Sequence, residues 1–223
     1  RDRLRSRGLG DVYKRQLIAL LASINMFAQG WPANYSGVML QGFSWDSYDY
    51  SQWSVLEKQA DDMKGFIDLV WLPQSGKCIE TTQVMGYKPY YYFNQNSSFG
   101  TEAELRSLIA KFKANGIGAI ADVVVNHRNT DGWYTFPAET YKGVTYQMQS
   151  TDICKNDDEG ATSTQATKDG VSLSQNYDEG TDFGGCRDID HKSANVQKII
   201  KAYLKFLKED IGLSLIHISE PTR

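Results

Sequence analysis

The chain has 223 residues, enough for one large domain or one and a half, and its 41% apolar content can build a buried core. A net charge of −3 removes the electrostatic basis for a nucleic-acid or anionic-membrane partner. The three cysteines, Cys78, Cys154 and Cys186, show no CxxC spacing and give no support to a zinc or thioredoxin-type site.

Residues 1–16 carry no initiator Met and read as a non-native tail, in the manner of a translated sequencing adaptor. Leu17 to Ala28 form an apolar run of signal-peptide length, too short to span a bilayer, and cleavage is expected near Ala28–Gln29, so 17–29 is assigned to the leader. The implied location is secreted or periplasmic, with no membrane contact after cleavage. In an exported protein Cys154 and Cys186 are a pair that could bridge; the plainer reading is free thiols.

Val38 to Phe43 reads as a buried strand. Trp53 to Lys64 reads as a helix, since Trp53, Leu56, Ala60 and Met63 share a face. Asp68 to Leu72 is a second buried strand, stopped by Pro73. Thr101 to Glu104 spells a capping box, opening a helix striped by Leu105, Leu108, Ile109 and Phe112 and closed by Gly116. Ala119 to Val125 is a third strand, buried on both faces. Ser193 caps a last helix with Val196, Ile199, Ile200, Tyr203, Leu204 and Leu207 on one face. Strands alternating with helices predict a parallel α/β sheet.

Between Asn126 and Arg187 the pattern changes to a polar stretch rich in Gly, Asp, Ser and Thr, with no amphipathic helix. A segment this long is functional or a small inserted domain. It leaves from the carboxyl end of the third strand, the end that carries active sites in parallel α/β folds. No dinucleotide fingerprint, P-loop or HExxH occurs. A flavodoxin-like or Rossmann domain needs a phosphate cradle after strand one, where this chain has Ser44-Trp45-Asp46-Ser47-Tyr48.

Two motifs carry chemistry. Asp122-Val123-Val124-Val125-Asn126-His127 delivers an acid, an amide and an imidazole to a strand's carboxyl lip. Downstream, Asp178, Asp182, Asp188 and Asp190 are separated by glycines that let backbone carbonyls face inward, a hard-oxygen set suited to calcium although not spaced as an EF-hand.

Together DVVVNHR and TDFGGCRDIDH resemble glycoside hydrolase family 13, the α-amylases, and particularly its plant-like branch. GVMLQGFSWD, LVWLPQ and Met85-Gly86-Tyr87-Lys88-Pro89 extend the resemblance over about Gly37 to Gly212. It implies a partial (β/α)8 TIM barrel: residues 30–125 as strands one to three, an inserted calcium-binding B-domain at 126–187, and barrel helix three at 188–212. It implies that Asn126, Asp178, Asp188 and the Gly185 carbonyl bind a structural calcium, and that Asp157 and Asp182 bind a second calcium sharing Asp188. His127 would hydrogen-bond the sugar beside the scissile bond, Tyr87 would stack on that ring, and Asp122 would support the site. Trp45 and Trp133 would line the cleft. His191 reads as structural.

Family members cleave α-1,4-glucosidic bonds of starch, glycogen or maltooligosaccharides with retention, using two carboxyl groups ~5 Å apart. The nucleophile Asp is expected right after Gly212 and the acid Glu later. Residues 213–223, LSLIHISEPTR, supply neither and read as a second non-native tail; Glu220 is no substitute. The chain is therefore expected to be a monomeric, glucan-binding but inactive fragment, with an open sheet edge that invites aggregation. The alternatives are another member of the family, such as a transglycosidase, or a non-catalytic, calcium-dependent glucan-binding protein.

Overall fold

Four parallel strands form the central sheet of the computed structural model, in the order β1-β2-β3-β8. The structure describes residues 35–180 and 182–219, and all that follows concerns these. The leader at Leu17–Ala28, the tail at 1–16 and Glu220 lie outside the described residues. The chain divides into two units, Arg1–Ser36 and Gly37–Arg223, and the second holds every element below.

Strand β1 (Met39–Gln41) pairs with β2 (Leu69–Leu72), Met39 opposite Leu69. β2 pairs with β3 (Gly118–Val124), Leu69 opposite Gly118. Helix α1 (Trp53–Met63) connects the first two strands and α2 (Glu102–Ala114) the next two. The two helices pack on each other through buried faces of Trp53, Leu56 and Ala60, and of Leu105, Leu108, Ile109 and Phe112, the stripes that helical periodicity predicts. The capping box forms: Glu104 N donates to Thr101 Oγ1 at 3.3 Å and Thr101 N donates to Glu104 Oε2 at 2.7 Å. Every residue of β3 beyond Gly118 is buried, as expected of a strand covered on both faces.

β1 departs from expectation. It is three residues long, and Val38, Met39 and Leu40 are 53%, 41% and 37% exposed. The cause is position: β1 is an edge strand with a hydrogen-bonded neighbour on one side only.

The opposite edge also differs. Residues 213–223 are expected to contribute nothing, yet Leu213 is buried and β8 (Leu215–Ser219) pairs in parallel with β3 over five residues, Asp122 opposite His217. Its Leu-Ile-His-Ile run is apolar and β-branched enough to satisfy the backbone groups that β3 presents. It is reached from α4 (Ala194–Phe206), capped by Ser193, which accepts from Asn195 N and Val196 N. A π-helical turn, Leu207–Ile211, then ends at Gly212 in the left-handed region.

The polar segment after β3 leaves and returns through one antiparallel pair, β4 (His127–Arg128) with β7 (Arg187–Asp188). Within it stand a hairpin, β5 (Glu139–Tyr141) and β6 (Val144–Tyr146), turned by Lys142 and Gly143 with positive φ, and a nine-residue helix, α3 (Ala161–Asp169). The helix is not amphipathic, in keeping with the expectation of no amphipathic helix here. Its buried residues are only Thr162 and Ala166, so no apolar stripe announces it. Arg128 pins the segment inward: it is 1% exposed, pairs with Glu139 at 2.8 Å, and lies 4.1 Å over the Tyr92 ring. Glu139 also accepts from Tyr92 N and Phe93 N, so its buried charge is fully partnered. Among the described residues no helix is long and apolar enough to cross a membrane.

Candidate functional site

The site lies around the carboxyl end of β3. Asp122 points from the strand, 2% exposed, and accepts a hydrogen bond from the Tyr87 hydroxyl at 3.1 Å. Burial, and then the Asp122 charge, hold the Tyr87 phenol well above its ordinary pKa, so it stays a donor. Tyr87 arrives on the loop after β2 because Gly86 has φ +97°, and a Cβ there would sit 2.8 Å from the Gln74 carbonyl oxygen.

His127 lies beside this pair. Its Nε2–H donates to the Tyr87 carbonyl at 2.7 Å, and its ring stacks on Phe183 at 4.1 Å and 6°. Nδ1 is buried with no partner, which leaves one imidazole acceptor free at the site. Burial lowers the His127 pKa against the opposing pull of the Tyr87 carbonyl, and the ring is neutral at pH 7. On the other side, Trp45 is 72% exposed and lies parallel to the Tyr87 ring at 6.1 Å between centroids. Trp45, Tyr48, Met85, Tyr87 and Phe183 are among the walls of a cavity of about 260 Å³.

β4 and β7 join this aromatic corner to an acidic one, since His127 is opposite Asp188 in their register. Oxygens of Asp178, Asp182 and Asp188 lie within 4.8 Å of one another. Asp188 is 1% exposed and neither of its carboxylate oxygens has a donor. Burial pushes its pKa up to about 8, helped by the Asp182 carboxyl, with which a proton would be shared, and by the charges of Asp157 and Asp178. The Asn126 side-chain nitrogen is buried and unpartnered, and the Asn126 main-chain carbonyl accepts from Ile189 N at 3.0 Å. A buried carboxylate without donors, such as that of Asp188, crowded by the like charges of Asp178 and Asp182, is the environment a hard divalent cation relieves.

Residues 66–207 match the family model for the alpha amylase catalytic domain. The chain belongs to the alpha-amylase family. It is 29% identical over 177 residues to probable alpha-amylase 2 of Arabidopsis thaliana, a match covering 78% of this chain and 39% of that protein. It is 33% identical over 104 residues to a glucan 1,4-alpha-maltohexaosidase of a Bacillus species, covering 42% of this chain and 20% of the relative. The chain thus spans well under half the length of these relatives. In fold it is similar to the trehalulose synthase MutB of Pseudomonas mesoacidophila, with TM-score 0.52, 17% identity, and coverage of 85% of this chain and 36% of that one.

In this chain the expected residues fall into two groups. Tyr87, Asp122 and His127 come together, as do Asp178, Asp182 and Asp188 beside Asn126. Gly185, with φ +90°, sits in the same loop as the acids. Asp157 does not join the acidic cluster. Its Oδ1 accepts from Asp188 N at 2.6 Å, and its Oδ2 accepts from Thr162 Oγ1 at 2.6 Å and Arg187 Nη1 at 2.9 Å. Arg187 in turn covers the Trp133 ring at 4.9 Å, so Trp133 serves the ion pair. Sequence reasoning missed Arg187, Phe183 and Thr162; the one available signal was a cation placed directly before Asp188 in an acidic run. All three cysteines are free and buried, with no Cys154–Cys186 bridge. Burial pushes the Cys78 thiol up to about 11, and those of Cys154 and Cys186 up to about 12, so none is a ready nucleophile.

Proposed function

We propose that this chain is the amino-terminal part of an exported retaining hydrolase acting on α-1,4-glucosidic bonds of starch, glycogen or maltooligosaccharides. In this reading residues 30–125 and 188–212 belong to a partial (β/α)8 barrel, and 126–187 are a B-domain. Residues 1–16 and 213–223 are foreign tails flanking a native stretch. The observation that carries the reading is the pairing of Tyr87 with Asp122 at the lip of β3, next to the partnerless carboxylate of Asp188.

Asp178, Asp182 and Asp188, with Asn126 and the Gly185 carbonyl, would hold calcium. The ion supplies charge compensation there, fixing the polar segment against β3. Asp157 supports that set indirectly by ordering the Asp188 backbone, rather than as a ligand of a second ion. Tyr87 and Trp45 offer ring faces to a glucosyl unit, and the Nδ1 of His127 is an acceptor for one of its hydroxyls. Neither the family's nucleophile nor its acid has a counterpart within the 223 residues, so this chain binds glucan without cleaving it.

The test is a calcium titration of the purified chain followed by thermal melting, paired with calorimetry against maltotriose. Calcium is expected to raise Tm, chelator to reverse the rise, and Asp188→Asn to abolish it. Maltotriose is expected to bind without release of shorter sugars. A Tm indifferent to calcium in the wild-type chain would sink the metal assignment, and absence of maltotriose binding would sink the glucan assignment.

A further inference from the structure

The three free cysteines have no part in the site described above, yet two of them flank its Tyr87-Lys88 stretch. Cys78 stands on the loop after β2, 3% exposed, and its sulfur accepts a hydrogen bond from Lys88 N. It lines the aromatic cavity together with Lys88 and Phe183. Cys186, 2% exposed, ends a turn in which its N–H donates to the Phe183 carbonyl at 3.2 Å. That turn is held onto the Tyr87-Lys88 stretch at two points. Phe183 stacks on His127, whose Nε2–H donates to the Tyr87 carbonyl, and Lys88 Nζ lies 3.6 Å from where a Cβ on Gly185 would stand. The Cys186 thiol, raised first by burial, is then pulled down by Lys88 and pushed up by Cys78, so both groups face it. Cys154 has other surroundings. Its N–H donates to the Asp188 carbonyl at 2.9 Å, and after burial its thiol is raised by the carboxylates of Asp178, Asp190, Asp188 and Asp157.

We propose that Cys78 and Cys186 are a disulfide-forming pair, a covalent tie between the loop that leads to Tyr87 and the turn that leads to Asp188, with Cys154 left as a free thiol. The oxidant is a low-molecular-weight disulfide such as oxidised glutathione. One cysteine thiolate attacks it, a mixed disulfide forms, and one glutathione thiolate leaves. The second cysteine thiolate then attacks the protein sulfur of that mixed disulfide, and the other glutathione thiolate leaves. The two cysteine protons end on the two expelled thiolates, so the chain is oxidised and two glutathione thiols are the reduced product. Cys78, on the cavity wall, is the sulfur that a small disulfide reaches first. Burial keeps both thiols protonated in the folded chain, so the exchange belongs to folding, before the pair is covered. The two positions stand 108 apart in sequence, and a crosslink across so long a loop strongly restricts the unfolded chain. The tie requires neither calcium nor sugar, and it stands or falls apart from the reading of the site.

The test is to refold the wild-type chain from urea in a glutathione redox buffer, isolate the monomer, alkylate it in denaturant and read its peptides by non-reducing mass spectrometry. Alkylation is expected at Cys154 alone. The peptides that hold Cys78 and Cys186 are expected as one linked species, lighter than their sum by the hydrogens of both thiols. The Tm of this oxidised form is expected to exceed that of the same chain after reduction. That difference is expected to vanish in Cys78→Ser and in Cys186→Ser and to persist in Cys154→Ser. Alkylation of all three cysteines in the folded monomer, or a link that includes Cys154, overturns the pair. A Cys78–Cys186 link that leaves Tm unchanged overturns its role as a tie.

Discussion

The Asp157 carboxylate and the Arg187 guanidinium meet at 2.9 Å with side chains only 1% and 9% exposed. The pair sits directly behind Asp188, whose backbone N–H donates to the same carboxylate at 2.6 Å. Charges this buried cost several kcal/mol each to desolvate, and they are tolerable only while each neutralises the other. Removing Arg187 would leave Asp157 uncompensated beside Asp178, Asp182 and Asp188. Arg187→Ala is therefore expected to destabilise the chain by about 3–5 kcal/mol, read by urea denaturation in metal-free buffer. A loss below about 1 kcal/mol, the range of an exposed pair, would show that the pair is solvated.

Asp188 gives a pH signature in the metal-free chain. Its carboxyl is raised from 3.8 to about 8, so between those values the folded chain holds a proton that the unfolded chain has released. The contribution is fully present below about pH 4 and is lost as pH rises through about 8. Urea midpoints with chelator present should fall across that window, and Asp188→Asn should flatten the slope. With calcium the ionised carboxylate is the bound form, so calcium affinity should rise over the same range. An affinity that does not change between pH 6 and pH 9 would exclude Asp188 from the ligand set.

Much of this architecture was legible because burial writes a period into sequence. The stripes of α1, α2 and α4 and the apolar run of β3, broken only by Asp122, are each dictated by what they pack against. Thr101 to Glu104 announced a helix start through two short-range hydrogen bonds, which need no tertiary context. α3 was not legible, because a helix that buries only Thr162 and Ala166 leaves no apolar trace. The partners of Asp157 were not legible for a different reason. Counting carboxylates locates an acidic region but does not say which of them a neighbouring cation has claimed, and Arg187 claims this one. β1 read as buried because its residues are apolar, but apolar composition does not specify how many neighbours a strand has.

Gly86 offers a test of how the Tyr87 loop is held. With φ +97° and the Gln74 carbonyl 2.8 Å from where a Cβ would stand, Gly86→Ala is strained both by conformation and by contact. A cost of order 1–3 kcal/mol is expected, read as a lowered urea midpoint, together with weakened maltotriose binding as Tyr87 is displaced from Trp45. Unchanged stability would mean that the loop adjusts freely and that the glycine does not position the ring.

Tyr87 has two separable tasks, and substitution distinguishes them. Tyr87→Phe keeps the ring against Trp45 but removes the hydroxyl that donates to Asp122, leaving a 2%-exposed carboxylate short of one donor. The expected cost is about 1–3 kcal/mol of stability, with maltotriose affinity little altered, because a sugar meets the ring face rather than the hydroxyl. Tyr87→Ala removes both and should abolish maltotriose binding as well. If Phe at this position loses binding as completely as Ala, the hydroxyl or the ordering of Asp122 carries recognition. If Ala retains binding, the ring at Tyr87 is packing for the His127 corner, and the sugar contact rests on Trp45 instead.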